Sequence, residues 1–182
     1  MREIHLFIAM SLDGCIADPQ GDVDWLRGQG EPTAADPDPY GVFIQGIDTV
    51  LMGWNTYHQI VTQLSPDAWP YPDQTTYVFT HRDCPDAPGL RFVHNSPAQL
   101  VRQLRQQPGR DIWVCGGAQL VHQLLEADLV DRFYITVIPT LLGEGVRLFA
   151  PTGKALELEL VSTQSYNGMV DLAYRRRTPR TE

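Results

Sequence analysis

The sequence predicts an α/β fold: a mixed, mostly parallel central sheet with flanking helices, to which antiparallel strands are added towards the C-terminus. Three observations predict it. Residues 4–10, 49–52, 76–79 and 112–115 are short, continuous apolar runs, as in strands covered on both faces of a parallel sheet. Helical spacing lies between and after them: residues 97–107 turn Leu100, Val101 and Leu104 to one side, and residues 118–127 do the same with Leu120, Val121, Leu124 and Leu125. From Phe133 the period falls to two. Phe133, Ile135 and Val137 alternate with Tyr134 and Thr136, Leu156, Leu158 and Leu160 alternate with Glu157 and Glu159, and residues 169–174 follow an Asn167-Gly168 turn.

Taken in order, the first strand runs into Ser11-Leu12-Asp13-Gly14, where Asp13-Gly14 is a turn dipeptide. Residues 18–40 are rich in Gly, Pro, Asp and Gln, with Val23, Trp25 and Leu26 as anchors. A long loop at the carboxyl end of a parallel strand is where ligands bind in such sheets. Asp36-Pro37-Asp38-Pro39-Tyr40 leads into a helix-like stretch at residues 40–46. The next strand ends in Met52-Gly53-Trp54-Asn55-Thr56-Tyr57, where Asn55 or Thr56 is suited to cap a helix and Gly53 lets a ligand approach. Residues 76–79 end in Thr80-His81-Arg82, and the planar donor fork of Arg82 suits a ribose phosphate or simply an exposed loop. Residues 111–115 open through Gly116-Gly117 directly into the helix that starts at Ala118. That is either a tight strand-to-helix connection or a cradle for phosphate on free N–H groups. No G-x-G-x-x-G and no Walker pattern is present.

The 182 residues, 43% hydrophobic and 20% charged, with neither repeat nor linker, form one expected domain spanning 1–182. A chain of this size buries about two thirds of its unfolded surface and needs no disulfide or metal staple. A net charge of −8 disfavours nucleic acid and anionic membranes as partners. The basic run Arg175, Arg176, Arg177, Arg180 reads as a solvated terminus. Cys15, Cys84 and Cys115 have irregular spacing and read as free thiols in a reducing cytoplasm. The N-terminus is unlike a signal peptide, and no apolar run approaches the ~20 residues of a membrane helix, so a soluble cytoplasmic protein is expected. His5, His58, His81, His94 and His122 are dispersed, and no metal is expected.

Four motifs occur in one order: Met10-Ser11-Leu12-Asp13-Gly14-Cys15-Ile16-Ala17, Met52-Gly53-x-x-Thr56-Tyr57, Cys115-Gly116-Gly117-Ala118-Gln119 and Ile138-Pro139-x-x-x-Gly143-x-Gly145-x-x-Leu148-Phe149. As a set, from Ile4 to Arg175, they resemble the dihydrofolate-reductase-like family, in the branch shared with the C-terminal reductase domain of riboflavin biosynthesis. The resemblance implies that NADPH lies across the carboxyl edge of the sheet. It assigns Gly116, Gly117, Ala118, Gln119 and Leu120 to the nicotinamide and pyrophosphate turn, and Gly53, Trp54, Asn55 and Thr56 to a second phosphate-binding helix. It assigns Thr80, His81 and Arg82 to the adenosine phosphate, and Ala9, Ser11, Asp13 and Ile16 to the edge of the nicotinamide and substrate pocket. It also implies a homodimer joined through the C-terminal strands. The implied activity is NADPH-dependent reduction of a pterin-like or pyrimidine-like heterocycle, similar to that of 5-amino-6-(5-phosphoribosylamino)uracil reductase. The alternatives are a genuine dihydrofolate reductase and a non-catalytic nucleotide-binding protein on the same fold.

Three features depart from the family. Trp54 stands where relatives carry Arg or Lys, which leaves the preference for NADPH to Arg82. The sequence holds no His-x-Glu and no Pro-Cys-x-x-Cys, so no deaminase half accompanies the reductase. The Asp-Pro pattern that follows the second phosphate helix in the riboflavin reductases is missing too. Hydride transfer to a C=N or C=O bond also requires a proton. Asp38 lies where the resemblance places a helix carboxylate, and equally fits a helix cap followed by Pro39. Asp13 either orients substrate or makes its turn. Trp25 either stacks on a flat heterocycle or anchors the long loop.

Overall fold

The computed structural model describes residues 1–31 and 36–177. Its strands are β1 (Ile4–Ser11), β2 (Cys15–Ala17), β3 (Ile47–Gly53), β4 (Thr75–Phe79), β5 (Leu90–Val93), β6 (Asp111–Gly116), β7 (Arg132–Ile138), β8 (Val146–Arg147), β9 (Leu158–Tyr166) and β10 (Met169–Arg176). Its helices are α1 (Pro39–Gln45), α2 (Trp54–Gln59), which continues as a π-helical segment Ile60–Leu64, α3 (Pro97–Arg105) and α4 (Ala118–Glu126). The main sheet has the order β5-β4-β3-β6-β1-β7-β10-β9, and β2 pairs with β8 in a small second sheet. The pairs β5/β4, β4/β3, β3/β6, β6/β1 and β1/β7 are parallel, and β10 joins β7 and β9 antiparallel.

The continuous apolar runs form strands because both faces of the sheet are covered. On one face Ile4, Leu6, Leu51, Ile112 and Val114 pack against Leu100, Val101 and Leu104 of α3 and Leu120, Val121 and Leu124 of α4. On the other, Val50, Met52, Val78 and Trp113 meet Phe43, Ile44, Tyr57 and Trp69. Three layers result. The amino-terminal edge of the sheet is stitched by charge. Arg2, 6% exposed, pairs with Asp48 and donates to Thr49 Oγ1 at 2.6 Å. Asp131 pairs with Arg105 and accepts the Ile4 N–H at 2.8 Å, and the Glu3 N–H donates to Asp111 at 2.8 Å.

Several expectations are corrected. β9 starts at Leu158 rather than Leu156 and is exposed along both faces, because it is the terminal strand with nothing over it. In the basic run Arg175 and Arg177 are exposed, as a solvated stretch would be, yet paired with Glu159 at 2.8 Å and Glu157 at 3.3 Å, while Arg176 is partly buried and reaches the Val130 carbonyl and Asp128. Arg180 lies outside the described residues. The short strands β2, β5 and β8 carried too few residues to show a period. The Asn-Gly hairpin is as expected, with Asn167 at φ +46° and Gly168 at +74°. Among the described residues no helix is long and apolar enough to cross a membrane.

Leu124 is fully buried on the inner face of α4. Leu124→Ala should therefore lower the unfolding free energy by roughly 2–5 kcal/mol in urea titrations, through lost burial and the cavity left behind.

Candidate active site

The carboxyl ends of β1, β3, β4 and β6 lie side by side, and two of them turn straight into helices. Strand pairing places Met52 beside Gly116. A Cβ on Gly53 would lie 3.8 Å from the Gly117 nitrogen, and Thr56 Oγ1 lies 3.5 Å and 3.7 Å from where Cβ atoms on Gly117 and Gly116 would be. Two motifs far apart in sequence thus meet at one place on the sheet edge. The Gly116–Gly117 peptide is cis, with Gly116 at φ +137°, a conformation open to glycine.

Neither helix at this edge is capped by a side chain, since the capping positions are Gly53 and Gly117. Asn55 and Thr56 do not cap α2 as expected: the helix already starts at Trp54, which puts both inside it. At α4 the Leu120 and Val121 N–H groups donate to the Gly117 carbonyl at 3.1 and 3.2 Å. Ala118 and Gln119 keep N–H groups without an acceptor among the described residues, an arrangement suited to an anion. Leu120 is a correction to the expected ligand set. Its side chain is 4% exposed in the core and its N–H is already bonded.

Trp54 and Arg82 come together at the next strand end. The Arg82 Cζ lies 4.8 Å from the centroid of the Trp54 ring, which Tyr57, His58 and Phe92 flank. The buried Thr80 accepts the Arg82 N–H on its hydroxyl at 3.0 Å, and His81 is exposed alongside. Arg82 has no ion pair among the described residues. Trp54 therefore does more than delete a positive charge: its ring seats the neighbouring guanidinium.

β1 and β6 are paired only as far as Leu6 and Val114, and beyond them the two strands part in a cleft. Ala9 and Cys115 are partly exposed there, and Tyr40 packs its ring against Phe7 at 6.1 Å and Trp113 at 5.9 Å. Tyr71 packs edge-on to Trp113 at 5.1 Å and faces the Cys115 thiol. Burial pushes that thiol up to about 12, against an opposing pull from the Tyr71 hydroxyl. Sequence reasoning did not single out Tyr40 or Tyr71, since each reaches the cleft from outside the strands.

Asp13 and Ser11 are taken up by the turn after β1. Ser11 is fully buried, accepts the Cys15 N–H at 2.9 Å and donates to Asp13 at 2.6 Å. The Asp13 carboxylate also accepts the N–H groups of Leu142 at 3.2 Å and Gly143 at 2.7 Å. The Ser11 hydroxyl and these two amides hold its carboxyl down at about 2. Asp13 is thus an ionised acceptor at neutral pH, unable to supply a proton. Asp38 is exposed and caps α1, accepting the Gly41 N–H at 2.8 Å with Pro39 next in line. Ile16 packs against the main core.

The loop after β2 crosses the top of the sheet. Gly21 O accepts from Gln59 Nε2 at 2.9 Å, while Gly30 exchanges hydrogen bonds with the Asn167 side chain at 2.7 and 2.9 Å. Trp25 is half-buried, and its indole N–H donates to the Asp22 carbonyl at 3.2 Å. Asn167 had been legible only as a turn residue. Elsewhere, an apolar hollow of about 270 Å³ is lined by Leu125, Phe133, Phe149, Leu156 and Leu158, beside the edge strand. Among the described residues one possible ligand trio, Glu3, His5 and Asp111, converges at the stitched edge. There Arg132 already holds Glu3 at 3.1 and 3.3 Å.

Comparison with known proteins bears on this geometry. The family model of the RibD C-terminal domain matches residues 2–171. The chain is 38% identical over 181 residues to the uncharacterized protein YwjB of Bacillus subtilis strain 168, covering 96% of this chain and 98% of that one. Among solved structures, a Shewanella sp. PV-4 protein provisionally named for riboflavin biosynthesis superposes with TM-score 0.81 and 27% identity, covering 97% and 99% of the two chains. The Thermotoga maritima diaminohydroxyphosphoribosylaminopyrimidine deaminase/5-amino-6-(5-phosphoribosylamino)uracil reductase gives 0.68 and 16%, over 97% of this chain and 57% of that one. Enterococcus faecalis dihydrofolate reductase in complex with NADP(H) gives 0.66 and 18%, over 97% of each. At these lower identities the likeness is one of fold.

The low Asp13 value carries a sign. Its contribution to stability is fully present above the ordinary carboxylate range and is lost as pH falls towards 2. Asp13→Ala should therefore lower stability by a constant amount from pH 8 to about 5, and the gap from the parent should close below about pH 4, as urea unfolding at each pH will show.

Proposed function

The chain belongs to the RibD C-terminal domain family, a reductase family on the dihydrofolate-reductase fold, and from that premise we propose that it is an NADPH-dependent reductase. The observation that carries the reading is the meeting of Gly53 and Thr56 with Gly116 and Gly117 beside the uncapped start of α4. A pyrophosphate would rest on the N–H groups of Ala118 and Gln119, where side-chain bulk is absent and the helix dipole favours negative charge. Arg82, seated on Trp54, would take the ribose phosphate that distinguishes NADPH from NADH. The nicotinamide, when bound, supplies the hydride. Ala9 and the Gly116–Gly117 turn would flank it, and the cleft under Tyr40 would receive the substrate.

The proposed substrate is a flat pyrimidine-like or pterin-like heterocycle, because the side chains gathered on this side of the sheet, Tyr40 and Tyr71 around Trp113, are aromatic. The exposed, capping Asp38 counts against a genuine dihydrofolate reductase, which would bury that carboxylate. The protein is further proposed to pair with a second copy through β9. Leu158, Leu160 and Val161 are exposed on this terminal strand, next to the half-exposed Phe149 and Leu156.

Titration with NADPH, and with NADH in parallel, tests the cofactor. Quenching of Trp54 and Trp113 should report tight NADPH binding, and Arg82→Ala should weaken NADPH by about 10- to 100-fold, the worth of one charge-assisted contact, while changing NADH little. No binding of either nucleotide overturns the reading, and binding without oxidation in the presence of any heterocycle returns the non-catalytic alternative. Light scattering should give twice the chain mass, falling to one on Leu160→Glu. A monomeric parent overturns the dimer.

A further inference from the structure

Reduction of a C=N or C=O bond places an electron pair on the heteroatom, which then needs a proton. Neither carboxylate expected to give one is so placed: Asp13 is ionised and bound by Ser11, Leu142 and Gly143, and Asp38 is turned to the Gly41 N–H. Two phenols pack against Trp113 of β6 instead. Tyr40 stands in the first turn of α1 with its ring against Phe7 and Trp113, which lie two residues before Ala9 on β1 and two before Cys115 on β6. Tyr71 faces the Cys115 thiol, packed edge-on between Trp69 at 5.3 Å and Trp113. The two differ in access. Tyr40 is 37% exposed, whereas Tyr71 is half-buried between Trp69 and Trp113.

We propose that Tyr40 is the proton donor, acting on the heteroatom of a C=N or C=O bond held at Ala9 beside the Gly116–Gly117 turn. The proposal rests on the reductase reading above. A bound reduced nicotinamide dinucleotide supplies the hydride and is left oxidised. The carbon of the double bond gains that hydride, and the π pair moves to the heteroatom. The heteroatom takes the phenolic proton, the Tyr40 O–H bond breaks with its electrons left on oxygen, and water at the exposed side of the ring returns a proton. Burial holds the phenol above its ordinary value, with lesser contributions from Cys115 and Asp38, so at neutral pH the proton is present to be given.

The test uses the full chain carrying 3-fluorotyrosine, with the Tyr40 resonance assigned by its loss in Tyr40→Phe. Saturation with NADP⁺ followed by 5-amino-6-(5-phosphoribosylamino)uracil or dihydrofolate should shift that resonance at the second addition. In single-turnover NADPH oxidation by the unlabelled protein, Tyr40→Phe should be slowed by 100-fold or more, the scale of a lost general acid. Its NADPH dissociation constant should stay within twofold, and Tyr71→Phe should be slowed less than tenfold. A Tyr40 resonance that neither heterocycle moves, or a Tyr40→Phe rate equal to the parent's, overturns the role of Tyr40 while leaving the cofactor site intact. Absence of NADPH binding in the parent overturns the reductase reading and this inference together.

Discussion

Everything at the candidate site depends on the parallel register of β1, β3, β4 and β6. Parallel strands deliver their carboxyl ends to one edge, and a helix that follows such a strand begins at that edge. Gly53 and Gly116 end two neighbouring strands, so the starts of α2 and α4 are neighbours as well. Had either strand been antiparallel, its helix would start at the opposite edge and the two would not meet. The two edges are therefore built oppositely. The amino edge is closed by Arg2, Asp48, Arg105 and Asp131, and the carboxyl edge is kept open by glycine.

The layers divide the work. α3 and α4 cover one face with aliphatic side chains and hold the sheet rigid. The other face is covered by aromatic rings from α1, α2 and the segment after α2, and those of α1 and of Tyr71 pack edge-on around Trp113. Rings leave flat, amphipathic walls where aliphatic side chains would interdigitate and fill the space. The cleft is on the aromatic side for that reason. The loop after β2 is tied to Gln59 of α2 through Gly21 and to the Asn167 turn through Gly30.

Periodicity made the fold legible. Runs such as Ile112, Trp113 and Val114 have no polar face, which only a doubly covered strand tolerates, and the hairpin at Asn167-Gly168 follows from the positive φ that Asn and Gly accept. The glycine junctions were legible as well, because a missing Cβ is itself a local signal. What escaped was non-local. Asp13 reads as a turn residue until its acceptors are matched with the amides of Leu142 and Gly143, and no spacing announces that pairing. Trp54 reads as a lost charge until Arg82 is found on its ring. Tyr40 sits in a helix too short to show a face, so its packing on Phe7 and Trp113 could come only from coordinates.

The strand order also has a history written into it. β1 is made first, yet its two neighbours are β6 and β7, which begin at Asp111 and Arg132. As the chain leaves the ribosome, Ile-His-Leu-Phe-Ile-Ala-Met-Ser is a β-prone, uncharged segment with both hydrogen-bonding edges open until most of the protein exists. The strand that later lies at the centre of the sheet is thus, during synthesis, the one most in need of a chaperone's shelter.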